Sequence, residues 1–587
     1  MTAPDSSGPM PDEAVPPAVG PPEQAGSGSD AEVEIEAVEE ASVLRSSALM
    51  SVGTVISRAS GVVRGAALAA AIGVSGPVAD LFGLGNTLPN IVYILVIGGA
   101  LNAVFVPQLV RHMRQDADKG DGFADRLVTL VCVILLVTTI VSVAAAPWIV
   151  DLYTSNKYTP EQVALAVDIT RYCLPQIFFY GAYTMLSQVL NARGRFGAPM
   201  FAPIVNNLVA ISAFLTFFWL WGTAPARDGM LTPTQTAVLG IGSTLGVAAQ
   251  AAVLIPVMWR SGYHYRPRFD WRGAGLGRAG SLAFWTVGLV LVNQVAYVFI
   301  VRLLGTAGVL AEQSGSTQGG LVTYQNAHLI FILPHSIITV SLVTALLPRM
   351  SRAAAAADWT GLAEYVAGGT RTAAAAIIPA AAALFVLGPP LAEVLFGYGA
   401  ANDNAGSVLF LGQVVSVFAL GLLPFTVFYL VVRGWYALEA TRTAFWVTVV
   451  LNVLNLGLAY AFFDLVIASG RAGANAVTGI AAAYVVAYWL TAGLAWWLMA
   501  RRLGGLQTGR TVRRVARMLA AGLGALVVMA LVRYGSSTLL AGRGKLADLL
   551  VITLVGLAGI GCYLLLARAL RVSEVTEVVG QLRRRRG

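Results

Sequence analysis

The chain has 587 residues, 57% of them hydrophobic and only 12% charged, with a formal net charge of +9. Mean hydropathy is +0.72. Soluble domains carry about 25% charged residues, so this chain cannot cover its apolar surface with charge, and its solvent must be lipid. The basic residues fall at the ends of apolar runs, which assigns the positive charge to membrane topology and not to nucleic-acid binding.

Residues 1–46 stand apart. They are rich in Pro, Gly and Ser, with acids from Asp5 and Asp12 through Asp30 to Glu39 and Glu40. Without a basic n-region or an apolar h-region this is no signal peptide; a disordered acidic cytoplasmic tail is expected.

From Ser47 onward, apolar runs long enough to cross a bilayer recur, about 14 of them by the roughly 20-residue criterion. They are continuously apolar, which predicts helices and not the alternation of a membrane barrel. Span 1, Ser47–Gly73, carries Ser57-Arg58-Ala59-Ser60-Gly61-Val62-Val63-Arg64-Gly65. An arginine near mid-helix costs about 2.5–3.5 kcal/mol. The two lie roughly 9 Å apart along the axis, so both cannot reach one interface by snorkelling. Arg64, the deeper, is expected to line a wet cavity and hold an anion. Arg58 fits that role and a place among the headgroups equally well. Gly61 and Gly65 form a GxxxG step for close helix approach.

Span 2, Ala79–Pro107, opens with Asp80 and continues Asn86-Thr87-Leu88-Pro89-Asn90. Pro89 removes a backbone donor and the asparagines can bond freed carbonyls, which predicts a kinked, cavity-lining helix. Asp80 either pairs with a span-1 arginine or sits at the outer surface, the surface being the first expectation. Spans 3–6 are Leu127–Val150, Ile169–Leu190, Met200–Trp221 and Ala237–Met258; spans 7 and 8 are Leu282–Leu304 and Leu321–Leu347. Span 8 is unusually polar, with Gln325, Asn326, His328, Pro334 and His335; a neutral hydrogen-bonding histidine is the expectation there. Spans 9–12 are Ala373–Leu395, Val408–Val432, Ala444–Phe463 and Val477–Met499, and spans 13 and 14 are Met518–Val532 and Leu549–Leu566. Asn293, Gln294, Asn452 and Asn455 either line a cavity or join helices.

Arginines crowd the loops after the even-numbered spans: Arg111 and Arg114, Arg193 and Arg195, Arg260 to Arg278, Arg349 to Arg371, Arg433 and Arg442, and Arg501 to Arg517. The opposite loops are nearly bare, Arg533, Arg543 and Lys545 excepted. Both termini are therefore expected in the cytoplasm, as an even span count requires.

The sequence also repeats itself. Val106-Pro107-Gln108-Leu109-Val110-Arg111 ends span 2 as Leu347-Pro348-Arg349-Met350-Ser351-Arg352 ends span 8, and Asn206-Asn207 in span 5 is matched by Asn452 and Asn455 in span 11. Two parallel six-helix lobes with a substrate cavity between them follow, and with them alternating access. The expected layout is an N-lobe over 47–258, a basic cytoplasmic loop over 259–278 and a C-lobe over 279–500. Two extra helices over 501–570 and a basic cytoplasmic tail over 571–587 complete it.

Enzyme chemistry finds no support. Gly275-Leu276-Gly277-Arg278-Ala279-Gly280 follows a basic loop where a nucleotide fold needs a strand. Gly542-Arg543-Gly544-Lys545 lacks the remainder of a P-loop. Cys132, Cys173 and Cys562 sit in apolar runs with no metal spacing and read as free thiols. No cofactor and no metal are expected.

Taken together, Ser57-Arg58…Gly61…Arg64, Asp80, Leu88-Pro89-Asn90, Phe105-Val106-Pro107, Leu190-Asn191 and Pro203 resemble the MurJ/MviN family, as does Leu333-Pro334-His335 running to Leu346-Leu347-Pro348-Arg349. These are lipid II flippases of the multidrug/oligosaccharidyl-lipid/polysaccharide exporter superfamily. The resemblance covers nearly all of the chain after the acidic tail. It implies 14 spans, a central cationic cavity for the diphosphate and sugar headgroup, and a groove at spans 13 and 14 for the polyprenyl tail. It implies the actinobacterial type without a pseudokinase extension.

By position, Arg58, Arg64, Asp80 and Asn90 match functional sites of the family. The expected headgroup-binding set is Arg58, Arg64, Asn90 and His328, with Ser57, Asp80, Asn86, Pro89, Tyr93 and Gln325 lining or gating the cavity. Two departures thin the clamp: Tyr93 stands where other members have a further arginine, and Gly98 where they have a glutamate. The implied partners are a polyprenyl-diphosphate-linked glycan, the bilayer of the bacterial plasma membrane and cell-wall synthesis enzymes. The implied process is peptidoglycan biosynthesis and the maintenance of cell shape. Alternatives are a flippase for another polyprenyl-linked glycan, or a cation-coupled drug or metabolite exporter of the same superfamily.

Overall fold

The structure, a computed structural model, describes residue 53 and residues 56–98, 120–270, 280–470, 473–540 and 544–575. The acidic tail, Phe105-Val106-Pro107, the basic residues from Arg111 to Lys119, Arg272, Arg278, Arg471, Arg543 and the Arg583–Arg586 run lie outside the described residues.

Among the described residues all regular structure is helical. The first helix, α1, covers 56–72 and ends in a tight turn with Gly73 and Gly76 at positive φ, a conformation that glycine adopts without penalty. Next come α2 (Pro77–Tyr93), which runs on into a π-helical turn over Ile94–Gly98, α3 (Asp121–Ala144), α4 (Ala146–Tyr153), α5 (Pro160–Cys173) and α6 (Gln176–Ala192). The first half closes with α7 (Gly197–Trp221), the short α8 (Ala224–Asp228), α9 (Pro233–Ala252) and α10 (Leu254–Arg260). The second half contains α11 (Gly280–Gln313), α12 (Leu321–Ala355), α13 (Trp359–Phe396), the short α14 (Ala400–Asp403), α15 (Ala405–Ala419), α16 (Leu422–Ala437), α17 (Thr441–Ala468) and α18 (Gly473–Arg502). Helices α19 (Thr508–Leu540) and α20 (Lys545–Ala569) follow.

Eleven of these elements are long and apolar enough to cross a membrane, or 12 if α15 and α16, bent by 49°, form one span. Among the described residues the expected count of 14 is not confirmed. Span 1 is described as unbroken helix only over 56–72. Span 4 is broken at Leu174-Pro175 into α5 and α6, of 14 and 17 residues, each shorter than a full crossing. Proline cannot donate to the carbonyl one turn back and clashes with it. Conversely α13, at 38 residues, far exceeds the predicted Ala373–Leu395, because its polar first turns remain helical beyond the apolar stretch.

The main apolar core runs through both halves, from Phe82 and Leu88 in α2 to Phe331 in α12 and Phe418 in α15, and a second cluster around Met350, Leu362 and Trp435 lies within the second half. Outward faces stay apolar: Leu136, Ile140, Trp219, Leu465, Leu531 and Leu565 are exposed, and only 11% of the most apolar stretch of α17 is buried. Such faces need lipid around them.

The matched asparagines tie matched helices. Asn207 of α7 donates to Ser60 Oγ of α1 at 2.8 Å and to the Ser57 carbonyl at 3.3 Å. Asn452 of α17 donates to Asn293 of α11 at 2.9 Å. Predicted span 5 thus holds span 1 as span 11 holds span 7.

Among the described residues, most polar contacts between the halves lie at one end of the bundle. Asp80 accepts from the Val322 N–H at 2.9 Å, Thr323 Oγ1 donates to the Val74 carbonyl at 2.9 Å, and Gln162 donates to Glu312 at 3.0 Å. Arg227 pairs with Asp403 at 2.7 Å. These groups belong to the ends and loops that the charge pattern places outside.

At the opposite end, Tyr263 of the loop after α10 is fully buried and its hydroxyl donates to Asp125 at 2.7 Å; burial raises the phenol above its ordinary value. Arg371, expected as a loop residue after span 8, lies inside α13 and is 4% exposed. It contacts Glu364 at 2.6 Å and Glu574 at 3.5 Å, and donates to Thr511 of α19 at 3.2 Å. Arg514 of α19 also bonds Glu574. Tyr563 of α20 donates to the Ala375 carbonyl of α13 at 3.0 Å. The last two helices are thereby fastened to α13 by charge at one end and by a buried hydroxyl nearer the middle.

Candidate substrate cavity

Between the halves lies a cavity of about 580 Å³, within the roughly 300–1,000 Å³ usual for small-molecule sites. The first half contributes Arg64 of α1, Asn86, Thr87 and Asn90 of α2, and Tyr180 of α6. The second half contributes Asn293, Gln294 and Tyr297 of α11, and Tyr324, Gln325 and His328 of α12. Asn452 and Asn455 of α17 and Tyr484 and Tyr488 of α18 complete that side. A smaller chamber of about 220 Å³ adjoins it and shares Arg64, Asn86, Thr87, Tyr180 and Gln325.

The helices are cut to fit this space. Gly61 and Gly65 sit on the wall of the smaller chamber beside Arg64. A methyl at Gly65 would come within 3.1 Å of the Phe396 ring. Asn86 is held by Gln176 Nε2 at 3.2 Å, and Gln325 Nε2 reaches Thr87 Oγ1 at 3.0 Å and the Tyr297 hydroxyl at 3.3 Å. Gln325 thus links α12 to the first half at the cavity itself. His328 lies 3.4 Å from the Tyr484 hydroxyl and packs against Tyr324, Phe331 and Phe418.

Arg64 is the sole side chain of full charge lining the cavity among the described residues, and it makes no hydrogen bond or ion pair there. A guanidinium in a low-dielectric interior requires water or an anion. The site therefore presents one unpaired cation facing a wall of amides and phenols.

Of the sequence-predicted residues, Arg64, Asn90, His328, Asn86 and Gln325 meet in this space. Five do not line it. Arg58 is exposed on α1, one and two-thirds turns from Arg64 and on another face, since six residues advance the helix by about 600°. Ser57 serves through its carbonyl, which accepts from Ser60 and Asn207. Pro89 is buried within α2. Tyr93, expected to line or gate the cavity where other members have an arginine, bonds Thr184 at 2.7 Å and packs on Tyr180, so it supports α6 from outside the cavity lining. Asp80 is neither at the surface nor paired with an arginine: it is 9% exposed and caps α12 through Val322. The sequence reading passed over Tyr180, Tyr297, Tyr324, Tyr484 and Tyr488. The signal for two of them was present, since Tyr484 and Tyr488 are four apart and share a helix face.

A family model described as lipid II flippase MurJ matches residues 68–555. The chain belongs to that family. A probable lipid II flippase MurJ of Rhizobium meliloti (strain 1021) is 27% identical over 467 residues, covering 78% of this chain and 81% of the relative. The lipid II flippase MurJ of Burkholderia cenocepacia is 27% identical over 433 residues, covering 73% and 79%. Among solved structures, a lipid II flippase MurJ in an inward closed conformation superposes with a TM-score of 0.67 at 19% identity, covering 88% of this chain and 98% of that one. An inward-facing multidrug resistance MATE family transporter of the MOP superfamily gives 0.58 at 15% identity, covering 76% and 95%. Both are likenesses of fold.

Proposed function

We propose that this chain is a flippase for lipid II, moving the anionic headgroup from the cytoplasmic to the outer leaflet of the bacterial plasma membrane for peptidoglycan synthesis. The observation that carries the reading is the unpaired Arg64 in a cavity between two halves, in a member of the MurJ family. The headgroup enters from the arginine-rich side and its phosphate contacts Arg64, while Asn90 and Gln325 contribute hydrogen bonds. The polyprenyl tail stays outside the cavity. An apolar groove of about 150 Å³ between α13, α18 and α19, lined by Phe385, Trp489, Leu519, Leu523 and Leu526, offers it a surface that matches hydrocarbon.

The contacts that join the halves at the outer end favour a resting state closed to the outside, with both termini in the cytoplasm. Breaking them and closing the other end would carry the site across. With the cell interior negative, outward movement of an anion is favoured by about 2.3 kcal/mol per charge per 100 mV, which supplies a driving force without a nucleotide.

The test is depletion of the protein in its own host, followed by assay of the lipid-linked wall precursor on each membrane face. Accumulation on the cytoplasmic face, reversed by the wild type, supports the reading; normal sidedness overturns it.

A further inference from the structure

We propose that residues 259–270, at the end of α10 and in the loop after it, form a docking surface for anionic phospholipid headgroups on the arginine-rich side of the membrane. The inference goes beyond the flippase reading and does not depend on what the cavity carries.

The segment reads Trp259-Arg260-Ser261-Gly262-Tyr263-His264-Tyr265-Arg266-Pro267-Arg268-Phe269-Asp270. Helix α10 ends at Arg260, Gly262 turns the chain at positive φ, and residues 263–270 form neither helix nor turn. They lie as a strap along the first turns of α3. The Tyr263 hydroxyl and the Arg266 N–H donate to Asp125 Oδ1 at 2.7 and 3.2 Å. One helical turn further on, the Arg268 N–H donates to Thr129 Oγ1 at 3.0 Å, and the Tyr265 hydroxyl meets the same atom at 2.8 Å. Two residues of extended chain advance about 6.6–6.8 Å and one helical turn about 5.4 Å, so alternate N–H groups of the strap match successive turns of α3. The tyrosine hydroxyls are spent on α3, and Arg266 and Arg268 remain exposed.

The acids around the strap are already engaged. Asp121 pairs with Arg193, Asp125 holds the strap, and Asp270 pairs with Arg126 at 2.9 Å. The side chains of Arg260, Arg266 and Arg268 make no hydrogen bond or ion pair among the described residues, so the surface presents three cations without internal partners.

Its level in the membrane says what meets them. Asp125 and Thr129 lie about 6 and 12 Å along α3 from its start. Shortly beyond them Ile134, Leu136 and Val137 are exposed on the same helix and require lipid. The strap therefore lies at the headgroup layer, just short of the acyl chains. Trp259 and Phe269 are 58% and 67% exposed, as aromatic rings are at a membrane–water interface. Guanidinium groups take phosphate oxygens through charge-assisted hydrogen bonds, and basic residues at this depth are drawn to anionic lipid. Fixed cations beside exposed rings suit a ligand that is anionic at its head and apolar next to it.

The experiment uses the full chain purified in detergent, with dioleoyl phosphatidylglycerol and dioleoyl phosphatidylcholine as probes and native mass spectrometry to measure bound lipid. The wild type is compared with Arg266→Gln/Arg268→Gln and with Arg349→Gln/Arg352→Gln, which removes two exposed arginines near the end of α12. Melting temperature is the fold control. The backbone N–H groups that hold the strap persist in Arg266→Gln/Arg268→Gln, so it should melt with the wild type. The wild type should prefer phosphatidylglycerol. An arginine at an anionic surface contributes about fivefold in affinity, equivalent to about 1 kcal/mol, so the strap variant should lose about tenfold or more of that preference. The α12 variant should keep most of it. A wild type without the preference, or equal losses in the two variants, would overturn the strap as the docking surface. Either result leaves the flippase reading standing, since none of these arginines lines the cavity.

Discussion

Asp80, near the start of α2, accepts a hydrogen bond from the Val322 backbone N–H at 2.9 Å, so a carboxylate from one half caps a helix of the other. The first N–H groups of a helix lack internal partners and carry partial positive charge, and the N-cap of α12, Gly320, has no side chain to meet them. A methyl at Gly308 or Gly320 would overlap the Asp80 carboxylate. Asp80 is thus one of several groups that join the halves at this end, with Thr323, Gln162 and the Arg227–Asp403 pair.

In the proposed cycle, opening to the outside breaks that cap. Hydrogen bonds contribute about 0.5–3 kcal/mol, the upper part of that range when one partner is charged, enough for a population shift of several-fold or more. Asp80→Ala, and independently Gly320→Ala by steric clash, should increase labelling of Asn90→Cys by an impermeant maleimide added outside. The assay needs a background in which the free cysteines Cys132, Cys173 and Cys562 are replaced. Unchanged labelling in both variants would remove Asp80 from the gate.

The cluster of Arg371, Arg514 and Glu574 has a pH signature. Burial pushes the Glu574 carboxyl up, but hydrogen bonds from Arg514 and Ser573 and the Arg514 charge outweigh it, leaving it below the ordinary glutamate value. A carboxylate depressed in the folded state stabilises above its unfolded value of 4.5, and that contribution is lost as pH falls through the folded value. Glu574→Gln should therefore lower the melting temperature in detergent most near neutral pH, with the gap closing below about pH 4. Removing one of the two acids that contact Arg371 should cost about 1–3 kcal/mol. A gap that widened on acidification would contradict this placement.

Helices α13 and α15 cross at backbone contact. A methyl at Gly412 would overlap Pro389 Cα, and one at Gly388 would overlap the Gly412 carbonyl oxygen. Backbone cannot swing aside as a side chain can, so Gly412→Ala should destabilise by about 1–3 kcal/mol or more. Gly457 of α17 has nothing within 4 Å of its added methyl, and Gly457→Ala should be neutral to slightly stabilising through helix propensity. Thermal unfolding of the two variants side by side checks the contrast.

The sequence showed most of the membrane helices because a crossing needs a long apolar run, and hydropathy measures that directly. It hid the break in span 4, since Leu174-Pro175 sits inside an apolar stretch and hydropathy does not register a lost donor. In the cavity, Arg64 was legible because charge in lipid needs a reason. Arg58, nearer the end of the same span, fitted the cavity and the headgroups equally well in sequence, and its place on the helix puts it outside the cavity lining. Asp80 was misread because its partner is a backbone N–H more than 200 residues away, and backbone groups leave no mark in a residue string. The phenols were overlooked for the opposite reason: Tyr484 and Tyr488 are ordinary in an apolar helix until the fold brings them opposite Arg64.

The central claim is that Arg64 holds the anionic headgroup during transport, and reconstitution tests it most directly. Purified wild type, Arg64→Ala, Arg64→Lys and Arg58→Ala would be placed in proteoliposomes with lipid II in the inner leaflet, and its arrival in the outer leaflet timed. Loss of a charge-assisted contact of about 1.5–3 kcal/mol should slow Arg64→Ala by tenfold or more. Arg64→Lys should retain part of the rate, and Arg58→Ala, whose side chain lies outside the cavity, most of it. Wild-type flipping by Arg64→Ala would contradict the account.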